Sequence, residues 1–296
     1  MKKGVALLIT ILILAIFSVL VLKSFSISTQ VVNQNNEIRL LSQSNRLLED
    51  SKKIVKNTLK DINSTEAYAI LFSEPFVIAN KNFTLTFTFS PVENGLNINS
   101  LLQNSKRNEE SILVFETILR TYNVQNIQFF VDLILDTIDE DVDERSYGSE
   151  IILKDTFFTN SKIYSQKHFD KIIDYYAQVK DAKNIYKVDW GKYIRFDEDA
   201  IDVNFASIEL LKILLSNPYI NDAFKKTYYE NYDDLKIDED KQAFLNNLNL
   251  TFTTSRILVK VAFDDLIKKV NFKFIYDKKA NTIENIKYGF GENSDS

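Results

Sequence analysis

Hydrophobic positions divide the chain into regimes with different periods. From Val5 to Leu22 runs a stretch of about eighteen residues without a charge, preceded by Lys2, Lys3 and Gly4 and followed by Lys23. A helix rising about 1.5 Å per residue crosses a hydrocarbon core of about 30 Å over that length, so the pattern predicts a membrane span at 5–25. The short, doubly basic end stays on the cytoplasmic side and sends the rest of the chain across. The run is too long for the apolar part of an ordinary cleaved signal, whose only candidate cleavage site here is Ser26-Ile27-Ser28. Hydropathy alone fits an uncleaved signal anchor on an external domain equally well.

From Val5 to Glu74 there is neither Gly nor Pro, and nothing there forces a helix to stop. Ile38, Leu41, Leu48, Val55, Leu59 and Ile62 form a stripe in 3-4 alternation, with Asn45 and Lys52 in the remaining places. The pattern predicts one long helix, its first third in lipid and its last third packed by the stripe on a globular head. Asn33, Asn35 and Asn36 weaken its middle.

Pro75 closes this region, and residues 82–89 then alternate apolar with hydroxyl side chains, which predicts a strand with one buried face. Between Leu101 and Leu248 the period changes. Ile112 to Leu119, Asn126 to Leu135, Phe169 to Val179, Ser207 to Leu215 and Lys241 to Leu248 read as helices separated by acidic or Gly-containing loops. After Asn249 strands return over Thr251 to Val261, Val270 to Tyr276 and Thr282 to Tyr288, the last two joined by a loop at 277–281. Strands on both sides of a helical block point to an insertion: the flanking strands pair and the block bulges from one end of the sheet.

Composition narrows the chemistry. The 45% hydrophobic and 26% charged residues are globular values. There is no cysteine, which excludes disulfides, thiolate metal sites and Cys nucleophiles. His168 is the only histidine, so no His-based zinc site or HExxH motif exists, and no positioned nucleophile and base stand out. The chain does not read as an enzyme. A net charge of -5 argues against direct nucleic-acid binding, which needs clustered Lys and Arg. The 14 Tyr and 22 Phe are read first as core, with Tyr228, Tyr229 and Tyr232 as an alternative exposed contact surface.

Four segments carry a family resemblance. Lys3-Gly4-Val5-Ala6-Leu7-Leu8 resembles a prepilin leader, and Gly95-Leu96-Asn97-Ile98-Asn99 resembles a Gly-x-Ile/Leu-Asn-Leu-Asn segment. Asp139-Glu140-Asp141 followed by Gly148-Ser149-Glu150 resembles an Asp-x-Asp … Gly-Ala-Glu segment. Ile201-Asp202-Val203-Asn204-Phe205-Ala206-Ser207 resembles Ile-Asn-Val-Asn-Thr-Ala-Ser, with Asp202 and Phe205 departing. In this order and spacing they resemble the K-class minor pseudopilins of type II protein secretion, within the type IV pilin superfamily.

The resemblance implies an α+β fold: a pilin-like long N-terminal helix packed on an antiparallel sheet, with a large, mostly helical domain inserted between strands. In those terms residues 1–4 are the leader, 5–25 the transmembrane part of the helix, and 26–100 the rest of the helix with the first strands. Residues 101–248 are the insertion and 249–292 the closing strands. It further implies cleavage after Gly4 by prepilin peptidase, N-methylation of Val5, and a single-pass protein of the bacterial inner membrane with its bulk in the periplasm. Loss of Lys2 and Lys3 would leave the mature chain two positive charges poorer. Most pilins carry Glu as the fifth mature residue, where this chain has Ile9, a departure shared by the K class. A carboxylate in hydrocarbon is tolerated when it meets a partner charge, so Ile9 needs no subunit above it. The implied role is the tip of the pseudopilus, assembled with other minor pseudopilins through helix and head, with secreted cargo or the outer-membrane channel as further contacts. Two other roles fit the same anchor: a membrane-anchored periplasmic binding domain outside any filament, and a minor pilin of a related DNA-uptake or type IV pilus machine.

The acidic loop is the candidate ion site. Asp139, Asp141 and Asp143 alternate, and Glu150 occupies the twelfth place from Asp139, which can supply the oxygen ligands calcium prefers. Glu144 stands where an EF-hand needs Gly, and a solvated acidic loop with Arg145 as counter-charge fits the same residues. The family resemblance implies structural calcium in the inserted domain.

Overall fold

The computed structural model describes residues 42, 44–79, 81, 83–197, 200–225, 228–265 and 269–290. The leader at Lys2, Lys3 and Gly4, the processed Val5, Ile9 and the apolar span lie outside the described residues. Among the described residues no helix is long and apolar enough to cross a membrane. The chain divides between Thr58 and Leu59 into two compact units.

Residues 44–60 form α1, and in the first unit its buried positions are Ser44, Leu48, Ser51 and Val55. The stripe therefore differs from the one expected. Ser44 and Ser51, 3% and 1% exposed, take the places assigned to Asn45 and Lys52. A 3.6-residue period allows either neighbour, and the shorter side chain sits inside.

In the second unit the helix ends at Lys60 and does not run on to Pro75. The Ile62 N–H turns back to the Leu59 carbonyl at 3.3 Å, and Ser64 restarts the helix by accepting the Ala67 N–H at 3.3 Å. The new helix is α2, Thr65–Ser73. A break without Gly or Pro comes from this serine N-cap, which satisfies an otherwise orphan first-turn amide.

The main sheet has five antiparallel strands: β1 (Phe76–Ala79), β2 (Phe83–Pro91), then β9 (Arg256–Asp265), β10 (Lys269–Asp277) and β11 (Thr282–Phe290), in the order β1-β2-β9-β10-β11. Its centre is the β2–β9 pair, with Phe87 opposite Val261 and Phe89 opposite Val259. Leu85, Phe87 and Phe89 on β2, Ile257, Val259 and Val261 on β9, and Phe272, Phe274 and Tyr276 on β10 are buried, so the period-2 pattern is set by one covered face.

The helical block lies between β2 and β9. Its regular elements are β3 (Leu96–Asn97), β4 (Leu102–Gln103), β5 (Lys106–Arg107), α3 (Glu109–Thr121), α4 (Ile127–Ile138), α5 (Gln166–Lys180), β6 (Ile194–Arg195), β7 (Ile201–Asp202), α6 (Ile208–Leu214), α7 (Asp222–Lys225), α8 (Tyr232–Leu235), α9 (Glu239–Asn247) and β8 (Leu250–Thr251). Helix α4 is buried on every side from Phe129 to Ile138, which makes it the axis around which the insertion packs. Phe115, Phe130, Phe169 and Trp190 form an aromatic cluster beside it, with Phe169 and Trp190 edge to face at 5.0 Å. The mixed architecture is α+β with an antiparallel sheet interrupted by a mostly helical block.

Candidate functional site

The acidic site is built from α4 outward. Asp132 and Asp136 are four residues apart on the buried part of α4, and Asp139 is its C-cap. A buried carboxylate needs partners, and the loop 140–150 supplies them. Arg145 pairs through one guanidinium nitrogen with both Asp136 and Asp139, while its N–H donates to Asp136 at 3.1 Å. The Ser149 hydroxyl donates to Asp136, and the Ser146 hydroxyl to Asp132. Gln128 adds an amide donor to Asp132 at 2.8 Å. The loop can close this tightly because Gly148 sits at φ +83°, where side chains are disfavoured, and its carbonyl accepts the Tyr175 hydroxyl at 2.9 Å.

Glu150 is fully buried beside this group, accepting from Asn160 Nδ2 at 2.6 Å. The same amide nitrogen donates to the Asp136 carbonyl at 3.1 Å. Burial pushes the Glu150 carboxyl up, Asn160 opposes the shift, and the charges of Asp136 and Asp139 add to it. Burial likewise raises Asp139, against the pull of Arg145. Asp139 Oδ1, Glu150 Oε2 and Asn160 Oδ1 are buried without a hydrogen-bond partner.

The structure thus brings together Asp139 and Glu150, two of the four residues expected from the sequence. Asp141 and Asp143 are exposed on the loop, where Asp141 Oδ1 accepts the Asp143 N–H at 3.0 Å. Asp132, Asp136 and Asn160 join the cluster unannounced by spacing. Two aspartates at i and i+4 inside the apolar run Phe129 to Ile138 were the available signal, since buried carboxylates demand partners. Among the described residues no three His, Cys, Asp or Glu side chains are grouped to hold a metal ion. Arg145 already supplies a positive charge to Asp136 and Asp139 there.

The other quoted segments have structural work of their own. A Cβ on Gly95 would stand 3.0 Å from the Tyr193 carbonyl oxygen, at the point where β3 and β6 pair in parallel. Asn99 donates to the carbonyls of Ile163 and Phe196 at 3.0 and 2.7 Å and accepts the Ile163 N–H at 2.8 Å. Asn204 does the same for Tyr229 and Phe252. These asparagines hold loops that no ladder reaches. Tyr229 is buried and stacks on Phe224 at 4.6 Å, and Tyr232 meets Phe252 edge to face at 5.0 Å, so these tyrosines pack inward rather than forming an exposed patch. His168 lies on α5 against the rings of Phe158 and Tyr164.

Neither a family model nor a curated protein matches the chain. Among solved structures, the fold is similar to a chain in the crystal structure of the GspK-GspI-GspJ complex from the enterotoxigenic Escherichia coli type 2 secretion system. The TM-score is 0.64 at 12% identity, covering 89% of this chain and 100% of that one. At this identity the likeness speaks for the fold alone, and the fold is like that of a chain of this GspK-containing complex.

Proposed function

We propose that the chain is a minor pseudopilin of type II protein secretion, assembling with other minor pseudopilins at the tip of a periplasmic pseudopilus. The observation that carries this is the match of the whole solved chain by a sheet interrupted between β2 and β9 by a helical insertion. Two sequence features agree with it: the prepilin-like leader ending at Gly4, and Ile9 in place of a carboxylate that would need a subunit above it. Strand β1 is at an edge of the sheet and exposes Phe76 and Val77, a surface suited to the head of a neighbouring pseudopilin. In this reading the apolar segment anchors the protein in the inner membrane, and the chain performs no catalysis.

Mass spectrometry of the N-terminus, with prepilin peptidase present and absent, tests it. A chain beginning at N-methylated Val5 only when the peptidase is present is the expected result. An intact Met1 in both samples, or cleavage near Ser28, would reject the pseudopilin reading in favour of an ordinary anchored domain.

A second, structural reading rests on the buried unpartnered oxygens of Asp139, Glu150 and Asn160. We propose that they bind calcium, which prefers such hard oxygen donors, and that Asp141 and Asp143 contribute from the loop. Bound calcium would add positive charge to an acidic cluster in which Arg145 pairs with Asp136 and Asp139 and Arg107 approaches Asp132 at 3.8 Å.

A further inference from the structure

Asp202 is fully buried at the end of β7. Its N–H donates to the Glu93 carbonyl at 2.6 Å, and its Oδ1 accepts the Asn204 N–H at 2.8 Å. Its Oδ2 is buried with no hydrogen-bond partner. Glu93 is itself only 5% exposed, and its carboxylate accepts from the Ser255 N–H at 2.6 Å, the Ser255 hydroxyl at 2.9 Å, the Thr254 hydroxyl at 3.1 Å and the Arg256 N–H at 3.3 Å. Glu93 lies where the chain leaves the main sheet after β2, and residues 254–256 lie where it returns into β9. Both crossings between sheet and insertion are therefore tied together by Glu93, and Asp202 hangs on the Glu93 backbone.

The charged groups facing Asp202 are few. Glu93 approaches from the segment after β2, and Lys225 from α7, with the Lys225 ammonium shared with Glu209 of α6. Thr251, its register partner on β8, is uncharged. We propose that Asp202 is a proton-operated latch at the crossing between sheet and insertion. Protonated, the carboxyl is neutral beside Glu93 and the β7 turn stays docked on the crossing. Ionised, it becomes a buried anion with one unpaired oxygen beside a second anion, and the turn loosens from Glu93.

The direction follows from burial, which pushes the Asp202 carboxyl from 3.8 up to about 7; the Glu93 charge adds to the rise, and the Asn204 N–H, the Asn204 side chain and the Lys225 charge oppose it. A folded value above the unfolded one means that the folded chain holds a proton the unfolded chain lacks between those two limits. The contribution of this group to stability is full below pH 4 and is lost as pH rises toward and through about 7.

The test uses the full-length chain, with ¹³C titration of the Asp202 carboxyl and hydrogen exchange at the Asp202 amide, corrected for intrinsic rates. The expected midpoint is near 7. Protection of the Asp202 amide should fall at least about tenfold, a change of about 1.4 kcal/mol, between pH 5.5 and 8.5. In Asp202→Asn, which keeps the shape without the charge, protection should not change with pH. A midpoint near that of a free aspartate, or the same pH dependence in the variant, would overturn the latch. Should the variant fail to fold, the titration of the unaltered chain decides alone.

Discussion

Asn204 closes a ring with Tyr229, donating from Nδ2 to the Tyr229 carbonyl at 3.0 Å and accepting the Tyr229 N–H on Oδ1 at 2.9 Å. The same Nδ2 reaches the Phe252 carbonyl at 3.0 Å, so one side chain satisfies three backbone groups from two distant loops. Asn204→Ala would leave buried backbone groups unpaired, each at about 1 to 3 kcal/mol. The expected loss is about 3 kcal/mol by urea denaturation. A change within about 0.5 kcal/mol would show that water replaces the side chain there.

Gly95 makes the parallel contact of β3 with β6 possible. Its missing Cβ leaves room for the Tyr193 carbonyl, which accepts the Leu96 N–H at 2.7 Å. Gly95→Ala places a methyl 3.0 Å from that backbone oxygen, and backbone cannot swing aside as a side chain can. The variant should lose about 1 to 3 kcal/mol. Equal melting temperatures for the two proteins would mean that the segment has slack not visible in its hydrogen bonds.

These two residues show what was legible in the sequence and what was not. The alternation of residues 82–89 announced β2 because one sheet face is covered, and the 3-4 spacing around Phe115 and Phe169 announced α3 and α5 for the same reason. The break after Lys60 was hidden because it depends on one Ser64 hydroxyl rather than on Gly or Pro. Ser44 and Ser51 were hidden in the α1 stripe because period alone does not choose between adjacent positions. Within the acidic site the sequence reached Asp139 and Glu150 but not Asn160, which is ten residues beyond Glu150 and joins it through a folded loop.

Glu93 receives four donors, three of them on Oε2 and the Ser255 hydroxyl on Oε1, and a glutamine there offers them a neutral carbonyl in place of a charged carboxylate. Glu93→Gln should cost about 2 kcal/mol at neutral pH. It should also lower the Asp202 titration, because one of the causes that raise it is the Glu93 charge. The pH range over which stability falls would then shift toward acid. Melting curves from pH 4 to 9 check both effects, and an unshifted profile would mean that burial alone sets Asp202.

Arg145 bridges Asp136 and Asp139, two carboxylates that are 0% and 8% exposed. Arg145→Met would leave them facing one another, close to the buried carboxylate of Glu150. Breaking a fully buried pair costs about 3 to 5 kcal/mol, and Arg145 is 28% exposed, so about 2 to 3 kcal/mol is expected. The loss should shrink at low pH, because burial already raises Asp139 and Glu150 toward protonation. A pH-independent loss would assign the arginine a packing role.

Calcium gives the last prediction, and Arg145 sharpens it. A cation held by Asp139, Glu150 and Asn160 stabilises the folded chain by about 2.7 kcal/mol at a hundredfold excess over its dissociation constant. For a chain of this size that is a rise of roughly 5 to 10 °C over the same protein in chelator. Asp139→Asn and Glu150→Gln should abolish the rise. Asp141→Ala separates two ligand sets, since a loss of response would bring the loop carboxylates into the site and an unchanged response would confine it to the buried oxygens. In Arg145→Met the rise should be larger than in the unaltered protein, because calcium would then meet the acidic cluster without a resident guanidinium to compete with. Identical melting temperatures in calcium and chelator for both proteins would show that the cluster binds no calcium.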